Sequence, residues 1–423
     1  MWSHWSRGAM VTILAVACCL GVAATVSGAA RSSTKRSDRA TVALGPTRDM
    51  RRAAAERVLA SGVHIAPTNG ASAVAADAPV VVMAATGRLS TVHVVSTSGA
   101  VVAGMLTPTG SRWQSLAPLD YGTTYHVSVG ATGSDQARVQ LGSTFRTSTP
   151  STLVGVTEFP SNSLDVGVGQ PIVFRFDHEI SSASGQSAVL SHLHVTMSQP
   201  VLGGWYWFSN TELHFRPQSY WPSNEQVTVF WDLEGWNAGG GMWGSGTGLV
   251  RFSVGDARVS FADLSTHVMT VTDNGKIVAS YPISGGKPTD PTMAGVHVVL
   301  DRSSVVRMNS ATNGVPVNSP DGYDELVYSD VHISDSGEYV HAAPWSVSSQ
   351  GRQNVSHGCI NLSPADAALF FAFSRVGDVV IVTGSPRPPA LGDHGVMDWD
   401  TSWNDFSPAN AILPAPASVS IVR

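Results

Sequence analysis

From residue 79 to 148 apolar and polar residues alternate in short runs, at 80–84, 91–96, 124–129 and 143–147, with Gly and Pro between them. Period-two runs of this length, broken by turn residues, predict the strands of a β-sandwich rather than helices. A second set follows at 171–176, 192–197, 211–215, 226–231 and 248–254. Both sets carry an apolar-x-Pro step before the penultimate strand (Leu116-Ala117-Pro118, Phe215-Arg216-Pro217). Both end on a strand holding a phenylalanine, Phe145 or Phe252. The pattern predicts two tandem immunoglobulin-like sandwiches over residues 79–149 and 150–255, with Trp113, Tyr121 and Tyr125 as core and corner residues of the first.

Beyond residue 255 the texture changes. Runs at 259–263, 267–272 and 276–284 predict strands, with Asp273-Asn274-Gly275 as a hairpin turn. Further strands are expected at 296–301, 305–308, 340–343 and 378–383. One helix is expected over 364–375, with Ser363 as N-cap, Pro364 in its first turn, and Ala368, Phe371 and Phe373 supplying apolar contacts. Residues 256–384 thus form a third, mostly β domain. Residues 385–423 are Pro-rich and then carry Trp399, Trp403 and Phe406, so this tail is expected to pack on the body.

The N-terminus reads differently. An uncharged run rich in Ala, Val and Leu extends from residue 8 to 30, behind Arg7 and before the small residues Ser27, Gly28 and Ala29. It suits a cleaved signal peptide or a retained membrane anchor over residues 1–30, and therefore an exported, envelope protein. Lipidation at Cys18 fits less well, because Ala15 stands where a lipobox usually has Leu. Residues 31–78, with Arg31, Lys35, Arg36 and Arg39 and a short helix at 50–60, are expected to be a solvated linker.

A net charge of −6 with only 13% charged residues leaves no basic face, which argues against nucleic-acid binding. Contact with a membrane is expected only through the N-terminal segment. Gly203-Gly204-Trp205-Tyr206-Trp207-Phe208 and the loop holding Trp236 and Trp243 offer two roles, stacking on sugar rings or packing within the second sandwich, and packing is the simpler.

Candidate chemistry centres on Ser356-His357-Gly358-Cys359-Ile360-Asn361. Cys359 is the only one of 3 cysteines outside the N-terminal run. With no internal disulfide partner it is a buried bystander, an intermolecular bridge, a metal ligand or a reactive thiol. His341 and His357 favour the last, since a histidine within reach can take the thiol proton and the resulting ion pair holds a thiolate. His341 is the better base, because residues flanking Gly358 tend to point away from Cys359. Zinc on Cys359, His357 and His341 lacks any CxxC or HxxxH spacing. Gly358 suits a tight turn and close substrate approach. Ser356 and Asn361 have the short polar side chains that pin one, and the Cys359 N–H with a tyrosine hydroxyl can serve an oxyanion.

His341-Ala342-Ala343-Pro344-Trp345-Ser346 followed by Ser-His-Gly-Cys-Ile-Asn closely resembles the signature of L,D-transpeptidases of the YkuD type. The two sandwiches, the domain over 256–384 and the Trp-bearing tail resemble the mycobacterial members. The resemblance implies Cys359 as acylated nucleophile, His341 as base oriented by the Ala342 backbone carbonyl, and His357 as stabiliser of loop and thiolate. It assigns Tyr323 to the oxyanion hole, Met308 and Trp345 to the substrate path, and residues 301–339 to a lid. Ser356, Gly358 and Asn361 complete the binding loop. The reaction it implies links peptidoglycan stem peptides: Cys359 takes the acyl group of a tetrapeptide stem, D-Ala leaves, and an amine of a second stem resolves the thioester as a 3→3 cross-link. It also implies covalent inhibition by carbapenem-type β-lactams, and neither metal nor cofactor. Hydrolysis of the same thioester, protein attachment to the wall, and a non-catalytic wall scaffold are the alternatives. Asp324 or Glu325, beside Tyr323, is a candidate receiver for the cationic amine.

Overall fold

The computed structural model describes residues 47–406. The expected signal or anchor segment, the linker up to residue 46 and the tail beyond residue 406 lie outside the described residues. Among the described residues no helix is long and apolar enough to cross a membrane.

The linker expected over residues 31–78 is corrected where the structure begins. Helix Arg48–Ser61 leads into strand Val63–Ala66, which pairs antiparallel with Val81–Ala84. This stretch has no apolar period of its own because it lends single residues, such as Leu59 and Ile65, to a neighbouring core. The first sandwich sets the strands Val63–Ala66, Val81–Ala84, Arg112–Ser115 and Gly104–Leu106 against the sheet Arg88–Ser96, Thr124–Thr132 and Arg138–Arg146. Val82, Trp113, Val127 and Phe145 from the two sheets share its interior. Tyr125 is buried there, its hydroxyl accepting from the Asp120 N–H at 2.8 Å. Tyr121 departs from expectation. Its hydroxyl donates to the Gly244 carbonyl at 2.7 Å and accepts from the Gly235 N–H at 2.8 Å, so it braces the second sandwich.

In that second sandwich the strands Asp165–Val166, Thr247–Val254, Gln226–Asp232 and Leu193–Met197 form one sheet. Gly203–Ser209, Glu212–Pro217, Ile172–Phe176 and Val156–Phe159 form the other. Phe174, Trp205, Phe215, Trp231 and Trp236 fill the space between. Trp236 is 1% and Trp243 6% exposed. Rings so covered cannot stack on a sugar, and of the two roles open to them packing is the one the structure gives.

The joint to the third domain is backbone to backbone. The Gly167 and Gly169 N–H groups donate to the Val376 and Gly377 carbonyls, each at 2.8 Å. A Cβ on Gly167 would collide with the backbone of Gly377 and Asp378, so the approach requires glycine. Val379 of the third domain enters the core of the second sandwich.

The third domain holds a sheet ordered Lys276–Pro282, Val268–Asp273, Arg258–Asp263, Val379–Thr383, Gly295–Val298, and another ordered Asp301–Asn309, Asp324–Ser334, Glu338–Ala342, Ile360–Leu362. Helix Pro364–Phe373 starts at a Ser363 cap that accepts from the Asp366 N–H. Its buried face is Ala367 and Phe370, with Phe371 and Phe373 partly covered. Ala368, expected to supply a contact, faces solvent. The expected lid contains an antiparallel hairpin of Asp301–Asn309 and Asp324–Ser334, the latter strand not anticipated.

The tail closes over the strand Glu212–Pro217. Leu213 and Phe215 point into the sandwich core, and period two sends Glu212, His214 and Arg216 to the other face. That face is also buried, under tail residues 393–406. The Arg216 guanidinium lies 4.7, 5.3 and 4.3 Å from the rings of Trp399, Trp403 and Phe406. His214 Nδ1 meets both oxygens of Asp398, at 2.9 and 3.0 Å, and its Nε2 meets Glu212 at 3.0 Å.

Candidate active site around Cys359

The strands Glu338–Ala342 and Ile360–Leu362 run parallel, with His341 beside Asn361. Cys359 immediately precedes the second strand and so lies on the face that presents Asn361, while His341 and Tyr339 share the matching face of the first. This register gathers residues 18 apart in sequence. Cys359, His341, His357, Tyr323, Met308, Trp345, Ser356 and Asn361 all line one cavity of about 200 Å³, with Glu325 and Val355.

Gly358 shapes the loop. Its φ of +129° lies where side chains are strained, and its N–H donates to Ser356 Oγ at 3.1 Å. The Ser356 hydroxyl donates in turn to the Cys359 carbonyl at 2.6 Å. Asn361 Nδ2 donates to Ser346 Oγ at 3.0 Å. His341 Nδ1 donates to the Ala342 carbonyl at 3.0 Å, which leaves Nε2 as the lone-pair nitrogen. Cys359 is half-buried as a residue while its thiol group is enclosed, the Sγ directed at the Gly337 carbonyl at 3.8 Å. Trp345 stands at the mouth, 52% exposed, its ring 6.1 Å from that of His341.

Burial dominates the electrostatics. It pushes the Cys359 thiol up to about 12, and the Glu338 and Asp330 carboxyls add to the effect. Burial also holds His341 down to about 4, against its hydrogen bond to Ala342. The expected thiolate–imidazolium ion pair is therefore not the resting state: the site holds a thiol and a neutral imidazole. Charge separation in so desolvated a place is unfavourable until an electrophile is present to take up the negative charge.

Some participants were not visible in the sequence pattern. Lys287 Nζ lies 3.0 Å from His357 Nε2 and donates to Asp321 at 2.7 Å, tying the nucleophile loop to the segment before Tyr323. The His357 and Tyr323 rings are 5.2 Å apart. Glu338, buried beside Gly358, accepts from the Met293 N–H at 2.9 Å and from Arg387 at 2.7 Å. Lys287 is 70 residues from His357 and Arg387 is 49 from Glu338, so no local motif signals either pair. Among the described residues no group of three or more His, Cys, Asp and Glu is placed to hold a metal ion. A larger cavity of about 380 Å³, lined by Arg175, His214, Asp301, His332, His394 and Asp398 among others, does not include the thiol.

Residues 71–237 match the bacterial Ig domain and residues 257–382 the L,D-transpeptidase catalytic domain, YkuD. Fold and site together thus define a class: an Ig-bearing chain with a YkuD catalytic domain. Over 345 residues it is 39% identical to L,D-transpeptidase 2 of Mycobacterium tuberculosis (strain CDC 1551 / Oshkosh), spanning 81% of this chain and 83% of that one. It is 31% identical to L,D-transpeptidase 5 of Mycobacterium tuberculosis (strain ATCC 25618 / H37Rv) over 83% of this chain and 77% of that one. The chain belongs to the L,D-transpeptidase family. A solved structure of LD transpeptidase LdtMt1 in complex with imipenem is similar at 36% identity and a TM-score of 0.48, covering 54% of this chain and 99% of that one.

Proposed function

We propose that this protein forms 3→3 cross-links between peptidoglycan stem peptides through a thioester on Cys359. The observation that carries this reading is the state of His341. Its Nδ1 is committed to the Ala342 carbonyl, its ring is buried and neutral, and it shares one cavity with the thiol.

In the first step Sγ attacks the carbonyl of the third residue of a tetrapeptide stem while the thiol proton passes to His341 Nε2. The Cys359 N–H and the Tyr323 hydroxyl would receive the developing oxyanion, a type of contact worth about 3 kcal/mol. The C–N bond to D-Ala then breaks and His341 returns the proton to the leaving amine. In the second step the side-chain amine of another stem attacks the thioester, gives its proton to the same imidazole, and the thiolate leaves and is reprotonated. Met308 and Trp345 would line the approach, while Ser356, Gly358, Asn361 and His357 hold the loop in shape. The N-terminal segment, as signal peptide or anchor, would deliver the domain to the outer side of the membrane, where the polymer lies.

Incubating the protein with a disaccharide tetrapeptide, beside a Cys359→Ala control, tests the reading by mass spectrometry. The expected product is a Cys359-dependent dimer lacking one D-Ala. Tripeptide alone would mean that water resolves the thioester, and no conversion would leave the scaffold reading.

A strained β-lactam carbonyl is an electrophile for the same thiol. A carbapenem is expected to add the mass of one intact inhibitor to the protein. Intact-mass analysis that finds no adduct, or an adduct that survives Cys359→Ala, would count against Cys359 as the acylated residue.

A further inference from the structure

Asp324 and Glu325 open the second strand of the lid hairpin, and period two sends them to opposite faces. Asp324 faces away from the thiol. It pairs with Asn309 across the hairpin, and its two carboxylate oxygens accept from Arg307 Nε and Nη2, each at 2.8 Å. Glu325 stands opposite Met308, and both side chains line the cavity with Cys359, His341 and Tyr323. The Glu325 carboxyl makes no side-chain hydrogen bond or ion pair with the described residues, and His357 is the one charged group that acts on it through space. Lys287, the cation beside His357, is already committed to Asp321 at 2.7 Å and Asp290 at 3.3 Å.

We infer that Glu325 is a specificity residue that docks the ammonium group of the acceptor amine beside the thioester, and that Asp324 is not. The inference rests on the transfer reading above and adds to it which residue reads the acceptor's charge. Partial loss of water pushes the Glu325 carboxyl up, His357 opposing, so the carboxylate gains by pairing with a cation that enters. The amine docks charged and loses one proton to solvent before it attacks.

The test is a competition within one reaction. The full chain receives an isotope-labelled tetrapeptide donor and one unlabelled acceptor stem with a side-chain ammonium, so each thioester divides between that amine, giving dimer, and water, giving labelled tripeptide. Glu325→Gln is expected to lower the ratio of dimer to labelled tripeptide about fivefold, with a smaller shift at high salt. Asp324→Asn should leave the ratio as it is. Taking a ratio cancels any general loss of acylation in a variant, and titration with a carbapenem counts the folded sites. An unchanged ratio in Glu325→Gln, or an equal shift in Asp324→Asn, overturns the assignment while the transfer reading stands. Absence of dimers from the wild-type protein overturns both.

Discussion

Replacing His341 with glutamine is expected to slow acylation of Cys359 by about three orders of magnitude and to remove the acid limb of its pH profile. The wild-type site starts from a thiol near 12 and an imidazole near 4, both displaced by burial. His341 is a base only when unprotonated, so activity should rise as pH rises through about 4 and then stay level through neutrality. No descending limb is expected there, because the thiol does not need to hold its proton against solvent until the far alkaline range. Glutamine keeps a polar group near the Ala342 carbonyl but cannot accept the proton. The variant's residual rate should therefore climb with hydroxide, following direct ionisation of the thiol. Carbapenem ring opening, followed by absorbance across the acid and neutral range, measures both proteins. An acid limb near the ordinary imidazole value of about 6.5 would sink the burial-lowered base, and a descending limb above neutrality, from a His341 imidazolium losing its proton, would restore a pre-formed ion pair.

What could be read before the structure follows a physical division. Strands with one face in a core print a period of two, and both sandwiches were visible that way. The nucleophile loop was visible because its chemistry is local: Ser356, Gly358 and Cys359 act on one another within four residues. Contacts made across domains leave no such trace. Tyr121 reads as a corner residue of its own sandwich, yet its partners are Gly235 and Gly244, more than a hundred residues on. Glu212, His214 and Arg216 alternate with Leu213 and Phe215 like any solvent-facing set, and only the tail laid over them turns that polar face into an interior. The same holds for Asp324 and Glu325, adjacent acids that the chain presents as equivalent and that pleating and Arg307 make different.

Replacing His214 with glutamine is expected to cost about 3 kcal/mol of stability near neutral pH and to flatten the loss of stability on the alkaline side. Asp398 and Glu212 flank the two ring nitrogens, so both nitrogens must donate and the ring is an imidazolium. Burial opposes that charge, but the Asp398 and Glu212 contacts outweigh it and hold His214 up to about 9. The ring is 1% exposed, so solvent screens little of the interaction. A folded value raised above the unfolded one means that the contribution is complete below about 6.5 and is lost as pH rises through about 9. Buried carboxyls such as Asp330, Glu338 and Asp378, raised to about 7, impose their penalty between their unfolded values and about 7, and above that it is constant. The interval from about 7 to about 9 thus leaves His214 and its neighbour His394, which Glu212 and Asp335 also hold up, as the groups whose titration moves stability. In the wild-type protein the calorimetric unfolding temperature should fall across it by several degrees, while His214→Gln should start lower and keep only the shallower slope that His394 contributes. Because Asp398 is anchored through this ring, the variant's tail from residue 393 onward should also be cut sooner by protease. Parallel slopes in the two proteins, or an unchanged unfolding temperature, would mean that the aromatic sandwich around Arg216 holds the tail without the charged histidine.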